Sequence, residues 1–186
     1  MLNDRELIDS TLRGNIHAFR MLVDRYQDLA YTLALRIVKS AEEAEEVAQD
    51  AFIKVHDHLI NFRGDSKFTT WLYRIVYTTA LNRLRKRKLT QVSLDDPDAS
   101  YGNIASDSSA DQPTDKISML KSAIAAMSSD DSTVLSLFYF DEMNLQDISQ
   151  IMDIEANNVK IKLHRARLRL KTILESKPGF KKEDWL

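Results

Sequence analysis

Between Val92 and Asp115 the chain carries six acidic side chains, no lysine or arginine and few apolar groups. A stretch of Ser, Asp, Ala, Asn, Gly and Pro cannot bury enough apolar surface to offset the entropy of ordering it. It reads as a linker, and it divides the 186 residues into two parts, 1–91 and 116–186. Each part is small enough to need a well-made core. Helices are the means available. The chain holds only four Gly and three Pro, lacks alternating strand patterns of useful length, and repeats its apolar residues at a 3.6-residue period. The expected fold is therefore all-α, two small helical domains joined by a flexible acidic linker. As a coil, 24 residues average about 25–30 Å end to end and reach at most about 80 Å.

In the first part, Phe19, Leu22, Tyr26, Leu29, Leu33 and Ile37 mark a long helix from Ile16. Ser40-Ala-Glu-Glu43 then forms a capping-box pattern ahead of a helix with Ala44, Val47, Ala48, Ala51, Phe52, Val55 and Leu59 on its inner side. Glu42, Glu43, Glu45 and Glu46 suit the positive end of that helix dipole without any partner. Gln49, Asp50 and Lys54 extend the polar face beyond the first turn, where the dipole argument weakens, and they are candidates for a partner surface. Asn61-Phe-Arg-Gly-Asp-Ser66 breaks the rhythm as a loop, and a new helix opens near Lys67. Phe68, Trp71, Leu72, Ile75, Val76, Thr79 and Leu84 are its core candidates. Tyr73, Arg74, Tyr77 and Arg83 add aromatic and cationic groups on other faces, and the helix ends Arg83-Leu-Arg-Lys-Arg-Lys88. Interleaved rings and cations suit a single nucleic-acid strand, with bases stacked on rings at about 1–3 kcal/mol each and cations along the phosphates. Rim packing and a cationic helix C-terminus are the alternative reading.

In the second part, Ile117, Leu120, Ile124 and Met127 begin a helix, and Ser128-Ser-Asp-Asp131 caps the next, which carries Val134, Leu135, Leu137, Phe138 and Phe140. After a break at Asp141–Asn144 comes a short helix from Leu145 to Met152, a turn, and a long helix from about Asn157. Short helix, tight turn, long basic helix is the helix-turn-helix order. The last helix is apolar along Val159, Leu163, Ala166, Leu170 and Ile173. Lys160, Lys162, Arg165, Arg167, Arg169 and Lys171 lie mostly off that stripe, and no acid interrupts the run Val159–Lys171. A polyanion is one source of the missing negative charge; a solvated amphipathic helix is the other reading.

The net charge of −2 conceals this clustering: residues 1–91 hold 15 basic and 12 acidic side chains, and residues 116–186 hold 11 and 10. No cysteine is present, which removes disulfides, thiolate metal sites and thiol nucleophiles. No run of 18 apolar residues occurs, and the opening Met-Leu-Asn-Asp-Arg-Glu lacks a signal-peptide pattern, so a soluble, cytoplasmic protein is expected. His17, His56, His58 and His164 form no metal-ligand spacing, and neither a Gly-rich phosphate loop nor a nucleophile elbow is present. The expectation is a protein with no catalytic activity, no metal and no cofactor.

Two blocks together resemble the sigma factors of bacterial RNA polymerase, specifically the two-domain extracytoplasmic-function (ECF) group of the sigma-70 family. The first runs from Glu45-Glu-Val-Ala-Gln-Asp-Ala-Phe52 through Phe68-Thr-Thr-Trp-Leu-Tyr-Arg-Ile75 to Lys88 and looks like region 2. The second runs from Leu145-Gln-Asp-Ile-Ser-Gln-Ile-Met-Asp-Ile154 through Val159-Lys-Ile-Lys-Leu-His-Arg-Ala-Arg167 and looks like region 4.

The resemblance implies a region 2 domain over 1–91 for core polymerase and the −10 element, a linker over 92–115, and a region 4 helix-turn-helix domain over 116–186 for the −35 element. It implies that Glu46, Gln49 and Asp50 dock on the clamp helices of the polymerase's largest subunit. Phe62, Arg63, Lys67, Phe68, Trp71, Tyr73, Arg74, Tyr77 and Arg83 become candidates for opening the −10 element and holding the exposed strand. On the last helix, Lys160, Ile161, His164 and Arg165 are the base-side candidates, with Lys162 and Arg167 also toward DNA. An anti-sigma partner is implied as well. Three departures from the family pattern stand out: Thr78 and Asn82 where Asn and Asp are common, Asp153 and Asn157 where the turn often has Gly, and Ile161 in place of a small polar residue. A stand-alone helix-turn-helix transcriptional regulator is the alternative function.

Overall fold

The computed structural model describes residues 2–92, 116–178 and 180, so the expected linker lies outside them except for Val92. The first compact unit contains α1 (Asp4–Leu12), α2 (Ile16–Val38), α3 (Ala41–His58) and α4 (Phe68–Val92). The second contains α5 (Lys116–Ala125), α6 (Ser129–Tyr139), α8 (Ala156–Glu175) and the start of α7 (Leu145–Met152), whose residues from Ser149 on belong to the first. No strand occurs among the described residues, and the all-α expectation holds.

In the first unit α2, α3 and α4 each pack on the other two, and α1 packs on α2. Leu22, Tyr26, Leu33 and Ile37 of α2, Val47, Ala51 and Val55 of α3, and Leu72, Val76 and Ala80 of α4 are buried. Leu29, expected on the buried stripe, is 39% exposed. Because α4 touches both α2 and α3, its buried sector is wide and takes in Tyr73 and Tyr77 as well as the expected apolar positions.

Helix α1 was not anticipated, although Asn3-Asp-Arg-Glu6 carries its start signal: the Asn3 side chain accepts from the Glu6 N–H while the Glu6 carboxylate accepts from the Asn3 N–H. Asp4 fastens α1 to α2, accepting from Arg25 Nη1 at 2.5 Å and from the Tyr26 hydroxyl at 2.5 Å. Burial, reinforced by the Asp4 carboxylate, pushes the Tyr26 phenol up to about 12. Lys39 ends α2 in the left-handed region at φ 57°, with its N–H on the Leu35 carbonyl. Burial lowers the pKa of its amine. Ser40 caps α3 by accepting from the Glu43 N–H. The Glu43 carboxylate, which a capping box would turn back on Ser40, reaches to α4 instead.

In the second unit α8 packs on α5 and α6. Met119 and Ala123 meet Leu174, with Leu120, Leu170, Ile173 and Phe180 around them. Val134, Leu135 and Leu137 of α6, Ile148 of α7, and Val159, Leu163 and Ala166 of α8 are also buried. Ser128 caps α6, accepting from the Asp131 N–H and donating to its carboxylate. Asn144 caps α7 in the same way through the Asp147 N–H. In the turn before α8, Asp153 takes φ 55°, a left-handed conformation that short polar side chains adopt with less strain than most. Asn157, expected in this turn, lies instead in the first turn of α8.

Candidate nucleic-acid and partner interfaces

The exposed face of α8 is sorted by what the rest of its unit supplies. Asp130 and Asp131, in the first turn of α6, provide the acids that the basic run itself lacks. Lys162 Nζ lies 2.7 Å from Asp130 Oδ2, and Arg169 Nη1 lies 2.5 Å from the buried Asp131 Oδ2. The Arg167 guanidinium stands 5.6 Å from the Phe138 ring centroid and 5.4 Å from that of Tyr139, in cation–π range. Lys171 faces Glu175 one turn on at 3.8 Å. The six basic residues are therefore not all unopposed: Lys162, Arg167 and Arg169 are engaged in holding α8 to α6.

Lys160, Ile161, His164 and Arg165 remain exposed, and their side chains make no ion pair or hydrogen bond among the described residues. At 3.6 residues per turn these four share one face, opposite the buried Val159, Leu163 and Ala166. Asn157 and Asn158 are exposed in the first turn of the same helix. Asn157 therefore belongs to the helix and not to the turn, and two exposed amides there are of the chemical type that can pair with an adenine edge.

In the first unit, the loop from Phe62 to Lys67 sits over the start of α4. Gly64 takes φ 79°, which strains any other residue, and its surroundings leave open space where a Cβ would stand. Phe62, Phe68 and Trp71 form a ring cluster with centroids 5.3–5.9 Å apart, and Tyr26 backs Phe68 at 5.3 Å. Phe62 and Trp71 are half-buried, leaving part of each ring accessible, and Arg63 and Lys67 beside them are exposed without an ion pair among the described residues. Arg74 is exposed as well. The other aromatic candidates are placed differently. Phe68, Tyr73 and Tyr77 are 4%, 3% and 5% exposed, too buried to stack a base as they stand. Their role in this conformation is packing.

Arg83 is also committed: its Nε lies 3.4 Å from Glu43 Oε1 and its Nη2 lies 2.5 Å from Glu46 Oε2. Arg87 Nη1 reaches the other Glu43 oxygen at 3.0 Å. Glutamates at the start of α3 thereby neutralise part of the basic end of α4. Lys54, read from sequence as part of a polar face, donates to the buried Thr79 hydroxyl at 3.0 Å.

Glu46, Gln49 and Asp50 are exposed along α3. Gln49 lines a groove of about 730 Å³ between α2 and α3, whose walls include Phe19, Val23, Tyr31, Phe52 and Ile53. Ile16 and Ile53 are 61% and 60% exposed at this groove, and Asp28, Glu45 and Asp57 stand among its lining. An apolar floor with polar groups around it is the usual make-up of a protein-docking surface. No group of His, Asp and Glu among the described residues is placed to hold a metal ion, and no described helix is long and apolar enough to cross a membrane.

Residues 22–90 match the family described as Sigma-70 region 2, and residues 117–170 match Sigma-70, region 4. The RNA polymerase sigma-H factor of Pseudomonas aeruginosa is 36% identical over 176 residues, 88% of this chain and 90% of that protein. The ECF RNA polymerase sigma factor SigW of Bacillus subtilis is 31% identical over 90% of this chain and 94% of its own. Among solved structures, the sigma factor RpoE in complex with the anti-sigma factor NepR from Bartonella quintana aligns at TM-score 0.68 and 20% identity, covering 86% of this chain and 98% of that one. CnrH in complex with the cytosolic domain of CnrY aligns at 0.67 and 20%, covering 94% and 99%. At that identity the two structures speak for the fold, while the relatives above 30% along most of both sequences speak for descent. The chain belongs to the extracytoplasmic-function group of the sigma-70 family, the RNA polymerase sigma factors that direct promoter-specific transcription initiation.

Proposed function

We propose that this sigma factor grips its polymerase and its promoter through three separate surfaces and carries no catalysis of its own. The domain over residues 1–91 docks on the clamp helices of the largest subunit of core polymerase through Glu46, Gln49 and Asp50, with the apolar floor of the α2–α3 groove adding buried area. Phe62, Arg63, Lys67, Trp71 and Arg74 receive the opened −10 strand, rings taking bases and cations following phosphates. Residues 92–115 link this domain to the helix-turn-helix domain over 116–186, whose α8 reads the −35 element in the major groove. The protein works in the cytoplasm, and the solved neighbour bound to an anti-sigma factor supports control of this chain by such a partner.

The observation that carries this reading is the division of α8: three cations are consumed by α6, and the exposed cationic face left over is the one a groove would cover. Phosphate contacts position such a helix, and base-edge contacts give it sequence preference. The test separates the surfaces. Lys160→Ala and Arg165→Ala should lower transcription from a −35-dependent promoter and leave capture of core polymerase intact. Gln49→Ala with Asp50→Ala should weaken capture in a pull-down. Loss of capture by the α8 variants, or normal capture by the α3 variant, would contradict the assignment.

A further inference from the structure

Ile161 is 49% exposed at the middle of a cationic helix face, with Lys160, His164 and Arg165 exposed around it. An apolar, β-branched side chain gains nothing from water there, and its exposed half is open to a partner. The surrounding cations attract a polyanion, and a polyanion docked on this face meets Ile161 with whatever apolar spot it offers. In the major groove, the base edges offer one such group, the C5-methyl of thymine.

We propose that Ile161 reads a thymine methyl in the −35 element. The proposal rests on the assignment of α8 as the −35 reader and adds the base it selects. Lys160 and Arg165 flank the contact and hold the helix on the backbone, and Asn157, one turn toward the N-terminus, lies on the same face over the neighbouring base pair. Leu168, 53% exposed, continues the line seven residues on, about 10 Å along the axis. That places it away from the N-terminal half of the helix, where recognition helices meet bases. An apolar stripe meant for a protein would use Ile161 and Leu168 together; a thymine reader uses Ile161 alone.

The experiment uses the full chain with core polymerase. Duplexes carrying a randomised −35 segment are selected for binding, and each thymine of the selected segment is then replaced in turn by deoxyuridine, which removes only the methyl. One replacement should weaken wild-type binding about fourfold, the weight of one buried methyl group. Ile161→Ser should bind more weakly and lose sensitivity at that same position, whereas Leu168→Ser should keep it. Uniform tolerance of deoxyuridine, undiminished sensitivity in Ile161→Ser, or equal effects of the two serine variants would overturn the proposal. If a segment is selected and Lys160→Ala weakens it while deoxyuridine does nothing, the thymine contact fails and the −35 assignment stands. If no sequence is selected at all, both fall.

Discussion

Lys160 and Lys162 are two residues apart on one helix, and removing either should produce different signatures. Lys160 has no ion-pair partner among the described residues, whereas the Lys162 ammonium is held 2.7 Å from Asp130. Taking away one cation that neutralises a duplex phosphate flattens the plot of log K against log salt by about 0.9. For Lys160→Ala this amounts to about 3.5-fold less loss of affinity between about 50 and 200 mM salt. Lys162→Ala should leave the slope alone and act on the fold. Its side chain is 28% exposed and that of Asp130 is 46% exposed, so the pair contributes about 0.5–1 kcal/mol, in the range of partly screened surface pairs. The assay is fluorescence anisotropy of a labelled promoter fragment with polymerase carrying each variant, over a salt series. If Lys162→Ala flattens the slope as much as Lys160→Ala, the sorting of cations by their α6 partners is wrong.

The buried Asp131 joins the Ser128 cap to Arg169. Asp131→Ala should cost about 2 kcal/mol, at the lower part of the range for charged hydrogen bonds because the 61%-exposed Arg169 regains water; a thermal melt showing no shift would refute this. The Thr133 hydroxyl is buried with no hydrogen-bond partner among the described residues. Thr133→Val should therefore stabilise by about 1 kcal/mol, and a lower melting temperature would show that the hydroxyl is satisfied. Tyr26 supplies a pH test. Its folded pKa is raised from 10.0 to about 12, so the folded chain holds a proton that the unfolded chain releases. The associated stability is complete below pH 10 and is lost as pH rises toward 12. Tyr26→Phe should lose less stability across that window than wild type in denaturant titrations, and an identical loss would exclude Tyr26 as a source.

The architecture was legible where local chemistry was strong. Ser40, Ser128 and the break at Asp141–Asn144 marked helix boundaries, and α7 lies over Leu145–Met152 as its periodicity required. Helix α1 is short, and its one clear signal, the Asn3–Glu6 capping box, sits in a charged opening that sequence reasoning weighed only as a possible export signal. The sites were legible in kind more than in membership. A sequence shows Tyr73 and Tyr77 as aromatics beside cations, but only packing on two helices reveals that α4 buries them. Likewise Lys162, Arg169 and Arg83 look unopposed along the chain because their acids lie on other helices, 32, 38 and 40 residues away. Ile161 was conspicuous by residue type, and its exposure turns that oddity into a candidate contact.

Run-off transcription with purified core polymerase decides whether one chain joins a polymerase-docking surface to a promoter-reading one. Templates are taken from DNA co-purified with the polymerase that carries this chain. The expected product is a discrete transcript that requires the chain and disappears with Gln49→Ala/Asp50→Ala. That transcript should weaken with Lys160→Ala or Arg165→Ala only when the template keeps its −35 element. A transcript that needs no sigma factor, or α8 variants that lose transcription equally on templates lacking the −35 element, would contradict the joined-surface reading.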